Sequence, residues 1–182
     1  MSGSRKSHLK KLERGLIPVN NQKKQSLVSL TKAGIVAALY AALTLVLSPI
    51  SYGAMQIRLS EIFNNLAVFN KRYIWALTIG CAIANLNSPL GIVDIIFGSL
   101  GTLLMTSLSY FLSRRVKSTA GKLAIAVVVC TLMTWTVALE LHFVNHLPFW
   151  PTYLAVAVGE FISMVIGAVI FGILSKRIDL TK

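Results

Sequence analysis

Four carboxylates lie within or beside the most apolar parts of this sequence, where acidic side chains are uncommon. They are Glu61, Asp94, Glu140 and Glu160. A carboxylate among nonpolar groups is costly, and where it is tolerated it usually serves a ligand, an ion or a proton. Only Arg58 is placed to pair with them, so three of the four need another partner. We therefore expect a pocket for a polar, cationic or amine-bearing ligand.

Amide and aromatic side chains accompany these carboxylates. Asn65 and Asn85 lie in the same stretches of sequence as the first two. Trp135 and His142 are seven residues apart and share one face of a predicted helix, on which a planar heterocycle could stack. The predicted binding residues are Arg58, Glu61, Asn65, Asn85, Asp94, Trp135, Glu140, His142 and Glu160.

A simpler interpretation of the same charges stays open. Arg58 and Glu61 are three residues apart and could pair along one helix. Asp94 and Glu140 would then be solvated among the lipid headgroups, without a ligand.

The stretch ELHFVNH offers a possible metal site through Glu140, His142 and His146, because histidines four residues apart share a helix face. Leu147 and Pro148 follow at once, so we expect the helix to end near His146 and the spacing to be lost. No CxxC motif occurs either. We predict no metal, no cofactor and no catalytic residue. The chain also lacks GxxxxGK[ST], so it cannot hydrolyse ATP by that route.

Charge is sparse and segregated along the chain. Hydrophobic residues make up 55% of the 182 residues and charged residues 13%, about half the usual share in a soluble domain. Residues 33–57, 73–93 and 123–139 contain no Lys, Arg, Asp or Glu. Runs of this kind are typical of a protein that crosses a membrane several times.

The net charge of +12 could suggest nucleic-acid binding, but the cations form short clusters at the edges of the apolar runs. This distribution is typical of cytoplasmic flanks that face anionic lipid. The predicted partner of the basic residues is therefore the membrane, with no nucleic acid.

The basic clusters determine how often the chain crosses. If the polar stretch 56–70 were an external loop, Lys71 and Arg72 would lie outside and every later crossing would be inverted. If it crosses, all the clusters lie on the side of the basic N-terminus, as the positive-inside bias favours. The turn sequence NLNSPLG at 85–91 divides the apolar segment 73–113 into two spans. We predict an all-α protein with both termini cytoplasmic and six transmembrane helices, at about 31–49, 55–70, 73–87, 91–113, 121–144 and 151–175.

This topology predicts a basic cytoplasmic tail at 1–30 and a single membrane domain at 31–182. The four carboxylates then gather in the outer half of the membrane. The second helix, at 55–70, would span only about 24 Å, so we expect that protein surrounds it or that side chains at its ends snorkel to the membrane surface.

Small side chains recur at helical spacing in the first and last helices, as they do where helices approach closely in lipid. Gly159, Ser163 and Gly167 form the stripe of the last helix. We expect one stripe to pack inside the bundle and the other to dock a partner. The stripe of the first helix consists of Ala33, Ala37, Ala38, Ala41 and Ala42, and the residues alone leave open which of the two stripes docks the partner.

Residues 51–104 resemble the substrate-binding S components of energy-coupling-factor (ECF) transporters, specifically those of the QueT type. The similarity is carried by Arg-x-Ser-Glu at 58–61, GCAIANL at 80–86 and VDIIFGSLGTLL at 93–104. It implies a six-helix protein of the bacterial cell membrane that captures a micronutrient on its outer face. It also implies docking through the alanine-rich first helix onto a membrane scaffold subunit (the T component) with two ATP-binding subunits. The substrate implied is a queuosine precursor, a 7-deazaguanine such as preQ1.

Three other functions remain open at this point. The chain could be an S component for a related heterocycle, of the pyridoxine or hydroxymethylpyrimidine type. It could be a metal-dependent intramembrane enzyme that uses Glu140, His142 and His146, or a structural membrane protein without a ligand.

Overall fold

The chain is all-helical over residues 18–51 and 58–181, the ranges that its computed structural model describes. The elements are α1 (Pro18–Val46), α2 (Ser48–Ser51), a 3₁₀ helix (Leu59–Val68), α3 (Arg72–Asn85), α4 (Ile92–Ser113), α5 (Thr119–Met133), α6 (Trp135–Asn145) and α7 (Phe149–Leu174).

Helix α1 begins at Pro18, which is thirteen residues before the predicted start at 31. Proline is favoured in the first turn of a helix, and the Gln, Lys and Leu residues that follow are good helix formers. The last part of the predicted tail is therefore helical, while residues 1–17 lie outside the described ranges. Tertiary contacts divide the chain between Lys32 and Ala33, and all contacts discussed below belong to the part from Ala33 onward.

Four segments of the described chain are long and apolar enough to cross a membrane. They are Ser26–Val46, Ile92–Ser113, Thr119–Asn145 and Phe149–Leu174, with 21 to 27 residues each. The predicted spans at 55–70 and 73–87 correspond to shorter elements. Helix α3 has 14 residues, or about 21 Å at ~1.5 Å per residue.

The predicted second helix is not an α-helix. Residues Leu59–Val68 form a 3₁₀ helix, an unusually long one for this conformation. At a rise of ~2.0 Å per residue it spans about 20 Å, against about 15 Å for the same residues in an α-helix. No residue from Arg58 to Asn70 is exposed, so of the two predicted alternatives for this short segment the first, surrounding protein, is the one observed.

The predicted fifth helix, 121–144, is interrupted at Thr134, where α5 ends and α6 begins. The hydroxyl of Thr134 donates to the carbonyl of Thr131 over 2.7 Å, and that of Thr136 donates to Met133 over 3.0 Å. Threonine hydroxyls that bond the preceding turn in this way bend helices.

The basic clusters meet at one end of the bundle. Lys71 at the start of α3 and Arg114 at the end of α4 line a common groove. Asn70 donates to the carbonyl of Thr181 over 2.7 Å, which brings the segment after α7 to the same end. The start of α5 and Lys176 line a second groove there. We call this the basic end, and it holds Lys71, Arg72, Arg114, Arg115, Lys117, Lys122, Lys176 and Arg177.

Both stripes of small residues serve packing within the bundle. A Cβ at Gly80 of α3 would lie 2.9 Å from the carbonyl oxygen of Ala37, so α1 and α3 touch through their backbones. A Cβ at Gly167 of α7 would likewise press on the main chain of Ile62. The close approach of the 3₁₀ helix to α7 requires the glycine.

Candidate functional site

Arg58 anchors one corner of a buried polar cluster. Its Nη2 donates to Asn85 Oδ1 over 2.7 Å and lies 4.0 Å from Asp94 Oδ2. Asn85 in turn donates to the carbonyl of Asp94 over 2.7 Å, and Ser88 donates to the Asp94 carboxylate. The turn between α3 and α4, which the sequence predicted, thus brings an amide and a carboxylate to one guanidinium, and its Ser88 hydroxyl holds the carboxylate. Gly91, with φ of 60°, closes this turn.

Glu61 forms the second corner, and both of its oxygens are engaged. The Tyr40 hydroxyl of α1 donates to Oε1 over 2.6 Å, and the Asn64 amide donates to Oε2. Nearby, Thr44 of α1 donates to the hydroxyl of Ser60 over 2.6 Å. Helix α1 and the 3₁₀ helix are therefore joined by two buried side-chain bonds.

Glu160 is the carboxylate with the fewest protein partners. It is 7% exposed, and its Oε1 has no hydrogen-bond partner within residues 18–51 and 58–181. It lines a small cavity together with Arg58 and Glu61. The rest of the wall is formed by Gly98, Gly101, Thr102, Met105, Thr134, Val137 and Val156.

The cavity measures about 20 Å³. This is room for about one water molecule, whereas sites for drug-sized ligands usually measure ~300–1,000 Å³. A larger ligand can therefore enter only if side chains or helices move. The unbranched Met105 and the interrupted helix at Thr134 are adaptable parts of the wall.

Glu140 of α6 extends the cluster. Its carboxyl group lies beside that of Asp94 and it is 2% exposed, so α6 reaches the turn between α3 and α4. Its Oε1 is buried without a partner among the described residues.

Asn65 lies beside this cluster and has a packing role. Its amide donates to the carbonyls of Met164 and Ile62, each over 3.1 Å, and it is fully buried. It ties the 3₁₀ helix to α7 at Met164, four residues after Glu160.

Trp135 and His142 lie apart from the buried cluster. Trp135 is 44% exposed, and His142 is exposed with its Nδ1 2.6 Å from the carbonyl oxygen of Leu147. The helix ends at Asn145 with His146 in the left-handed conformation, as the following Leu-Pro predicted. Glu140 is buried while the two histidines are exposed, and no three ligating side chains converge in the described chain.

The five predicted docking alanines differ in their exposure. Ala37 and Ala41 are buried in the bundle, while Ala38 and Ala42 are exposed and Ala33 is half-buried. Ile35 and Leu39 continue the exposed face of α1.

Sequence reasoning missed Tyr40 and Asn64. Tyr40 stands alone in an alanine-rich run, where it resembles a membrane-interface residue. Asn64 had a detectable signal in the sequence, because the polar residues Arg58, Glu61 and Asn64 recur every three residues. Side chains three residues apart eclipse each other in a 3₁₀ helix, so this period predicts one polar face.

Comparison with known proteins gives two matches. Residues 30–176 match a family model described as QueT transporter. The chain is also 44% identical over 169 residues to the Queuosine precursor transporter QueT of Lactococcus lactis subsp. cremoris (strain MG1363), covering 88% of this chain and 99% of the relative. No solved structure matches the chain.

Proposed function

The chain belongs to the QueT transporter family, and from that premise we propose that it is the substrate-capture (S) component of an ECF transporter for a queuosine precursor. It is a multi-pass protein of the bacterial cell membrane, as the family and the long apolar helices indicate. The relative's name supplies the substrate class, and the buried cluster supplies the chemistry.

A precursor such as preQ1 combines a planar 7-deazaguanine base with a cationic aminomethyl group. The observation that carries the assignment is the charge balance of the cluster. Arg58 lines the cavity with Glu61 and Glu160 and lies 4.0 Å from Asp94, beside which Glu140 lies. Among the described residues, the cluster thus holds one guanidinium and four carboxyl groups. The cationic aminomethyl group of the ligand, bound at Glu160, would pair with the carboxylate of the cluster that has the fewest protein partners. Buried charges are stable only when paired and hydrogen-bonded.

The remaining members of the cluster have distinct roles in this proposal. Tyr40 and Asn64 orient Glu61, and the turn at Asn85 and Asp94 orients Arg58. Arg58 and the amides are suited to the polar edge of a heterocycle. The substrate enters by displacing Met105 and Thr102 or by separating α4 from α7, since the cavity itself is too small.

Topology follows from the same arrangement. The 3₁₀ helix runs from the polar cluster at Arg58 to the basic end at Asn70, the direction that a crossing segment must take. We propose six crossings, with the basic end in the cytoplasm and the polar cluster toward the outside. The 3₁₀ helix crosses inside the bundle, where protein rather than lipid covers its polar groups.

Transport requires partners in this proposal. A scaffold subunit would dock on the exposed face of α1 at Ala38 and Ala42, and two ATP-binding subunits would hydrolyse ATP. Substrate capture and docking would then use opposite faces of one helix.

An S component for a pyridoxine- or hydroxymethylpyrimidine-type compound is the alternative of the same class. These ligands lack the aminomethyl cation of preQ1 on a purine-like base. The metal-enzyme alternative gains no support, because Glu140 and the two histidines do not converge.

The proposed substrate is tested by identifying the compound that the protein binds and by measuring how candidate compounds change its melting temperature. The full chain is purified in detergent, and small molecules that co-purify are identified by mass. In parallel, preQ1, pyridoxine and hydroxymethylpyrimidine are compared for their effect on melting temperature. A ligand at 100 times its Kd stabilises by about 2.7 kcal/mol, so a specific substrate gives a clear shift. Stabilisation by preQ1 alone supports the proposal. A higher melting temperature with another compound and none with preQ1 contradicts the assignment of preQ1 as the substrate. An unchanged melting temperature with all three compounds contradicts the proposal that the chain captures a substrate of this class.

A further inference from the structure

A second, larger concavity lies at the basic end, away from the polar cluster. It is a groove of about 570 Å³ between α3 and α4. We call it the α3–α4 groove, and its wall consists of Phe69, Asn70, Lys71, Ile74, Trp75, Leu103, Ser107, Tyr110, Phe111 and Arg114. Its size falls in the range of ligand sites, ~300–1,000 Å³.

The groove is divided by chemistry along its length. Lys71 and Arg114 stand at the end of the helices, and the Arg114 guanidinium lies 5.9 Å from the centre of the Tyr110 ring. Further along the helices, Trp75 and Phe111 are each 62% exposed. Two cations thus stand above an open apolar wall.

We propose that the α3–α4 groove binds one anionic phospholipid of the leaflet at the basic end. The phosphate lies between Lys71 and Arg114, and an acyl chain follows Trp75 and Phe111 toward the bilayer centre. Asn70 and Ser107 add polar contacts for the glycerol and ester groups. The site rests on membrane insertion and not on the identity of the transported substrate.

Charge and exposure together favour a lipid over other anions. A soluble anion would use the two cations but gain nothing from the exposed aromatic wall. A zwitterionic lipid would use the wall but would be less attracted to the cations, since each Lys or Arg near the surface favours anionic lipid. Tryptophan and tyrosine near a basic flank are also typical of the headgroup level.

Lipid binding is measured by native mass spectrometry of the full chain in detergent, titrated with phosphatidylglycerol or phosphatidylcholine. Wild type is expected to bind one phosphatidylglycerol about thirtyfold more tightly than phosphatidylcholine, from two surface cations. The double variant Lys71→Gln/Arg114→Gln should lose most of this preference. The matched control Arg115→Gln/Lys117→Gln removes two exposed cations of the same end that do not line the groove, and it should retain the preference.

A second measurement reports the acyl chain. Trp135→Phe/Trp150→Phe leaves Trp75 as the single tryptophan. Phosphatidylglycerol brominated on its acyl chains should quench Trp75 more strongly than brominated phosphatidylcholine. Adding Lys71→Gln/Arg114→Gln should abolish the difference.

Four results would overturn the proposal. Equal affinity of the wild-type chain for the two lipids would show that the cations do not select the headgroup. If Arg115→Gln/Lys117→Gln lost the preference for phosphatidylglycerol as fully as Lys71→Gln/Arg114→Gln, the preference would not depend on the groove. Displacement of the lipid by millimolar inorganic phosphate would assign the cations to a soluble anion. Wild-type lipid binding by Lys71→Gln/Arg114→Gln, combined with failure to co-purify with the scaffold, would make the groove a protein-docking site.

Discussion

The Tyr40 hydroxyl donates a 2.6 Å hydrogen bond to Glu61 Oε1, which joins α1 to the second corner of the polar cluster. Tyr40 is 1% exposed, whereas Ala38 and Ala42 on the same helix are exposed. One helix therefore carries both a support of the proposed substrate site and the proposed docking face. Any tilt of α1 on docking would act on Glu61 directly.

Tyr40→Phe removes this bond and leaves a buried carboxyl oxygen without its donor. Such a loss costs about 1–3 kcal/mol. We expect preQ1 affinity, measured by calorimetry, to fall about tenfold or more, because 1.4 kcal/mol is one factor of ten. Tyr153→Phe is the control, since its hydroxyl makes an exposed 3.3 Å bond to Leu132. Equal affinity in the two variants would contradict the role of Tyr40.

Gly98→Ala tests the Arg58 corner. An added Cβ would collide with the Asn85 amide, which holds both Arg58 and the carbonyl of Asp94. Overpacking of this kind costs about 1–3 kcal/mol, so we expect a lower melting temperature and weaker binding. Gly34→Ala is the control, because a Cβ there meets nothing within 4 Å. If both variants melt and bind like wild type, the corner is not as tightly packed as described.

The sequence predicted that Arg58, Glu61, Asn85 and Asp94 lie close together. This follows from the directions in which successive helices cross the bundle. Once 56–70 runs opposite to its neighbours, these residues must share one end. The break at NLNSPLG and the helix end before Leu-Pro were predicted from local chemistry and are confirmed.

Other features depend on tertiary packing. The spacing of Trp135 and His142 predicts that they share a helix face, but it does not show whether that face is turned toward the polar cluster or away from it. The 3₁₀ conformation of Leu59–Val68 could not be predicted, because intrinsic propensity does not distinguish it from an α-helix. Likewise, an alanine stripe predicts close approach, while only the structure divides it into Ala37 and Ala41 inside and Ala38 and Ala42 outside.

Docking is tested by Ala38→Trp/Ala42→Trp. Bulky side chains on this exposed face should prevent co-purification with the scaffold, because small residues allow the close approach of helices in lipid. Binding of preQ1 should remain at the wild-type level. Val128→Trp on α5, also at an exposed position, is the control and should leave both properties unchanged. A scaffold complex that survives the double variant would move the docking face elsewhere.

Orientation is tested by single cysteines. Cys81 and Cys130 are both fully buried, so an introduced cysteine can be labelled selectively. Lys71→Cys at the basic end should be protected from a membrane-impermeant reagent in intact cells and labelled after the cells are opened. His146→Cys at the opposite end should be labelled in intact cells. The reverse pattern would contradict the placement of the polar cluster toward the outside.

The most direct test of the account is the affinity of wild type and Glu160→Gln for two ligands, preQ1 and an analogue in which methyl replaces the aminomethyl group. A hydrogen bond to a charged group contributes about 1.5–3 kcal/mol, or roughly 10- to 100-fold in Kd. We predict that Glu160→Gln weakens preQ1 binding by about this factor and leaves the analogue almost unaffected. Undiminished preQ1 affinity in Glu160→Gln would contradict the claim that this carboxylate receives the cation.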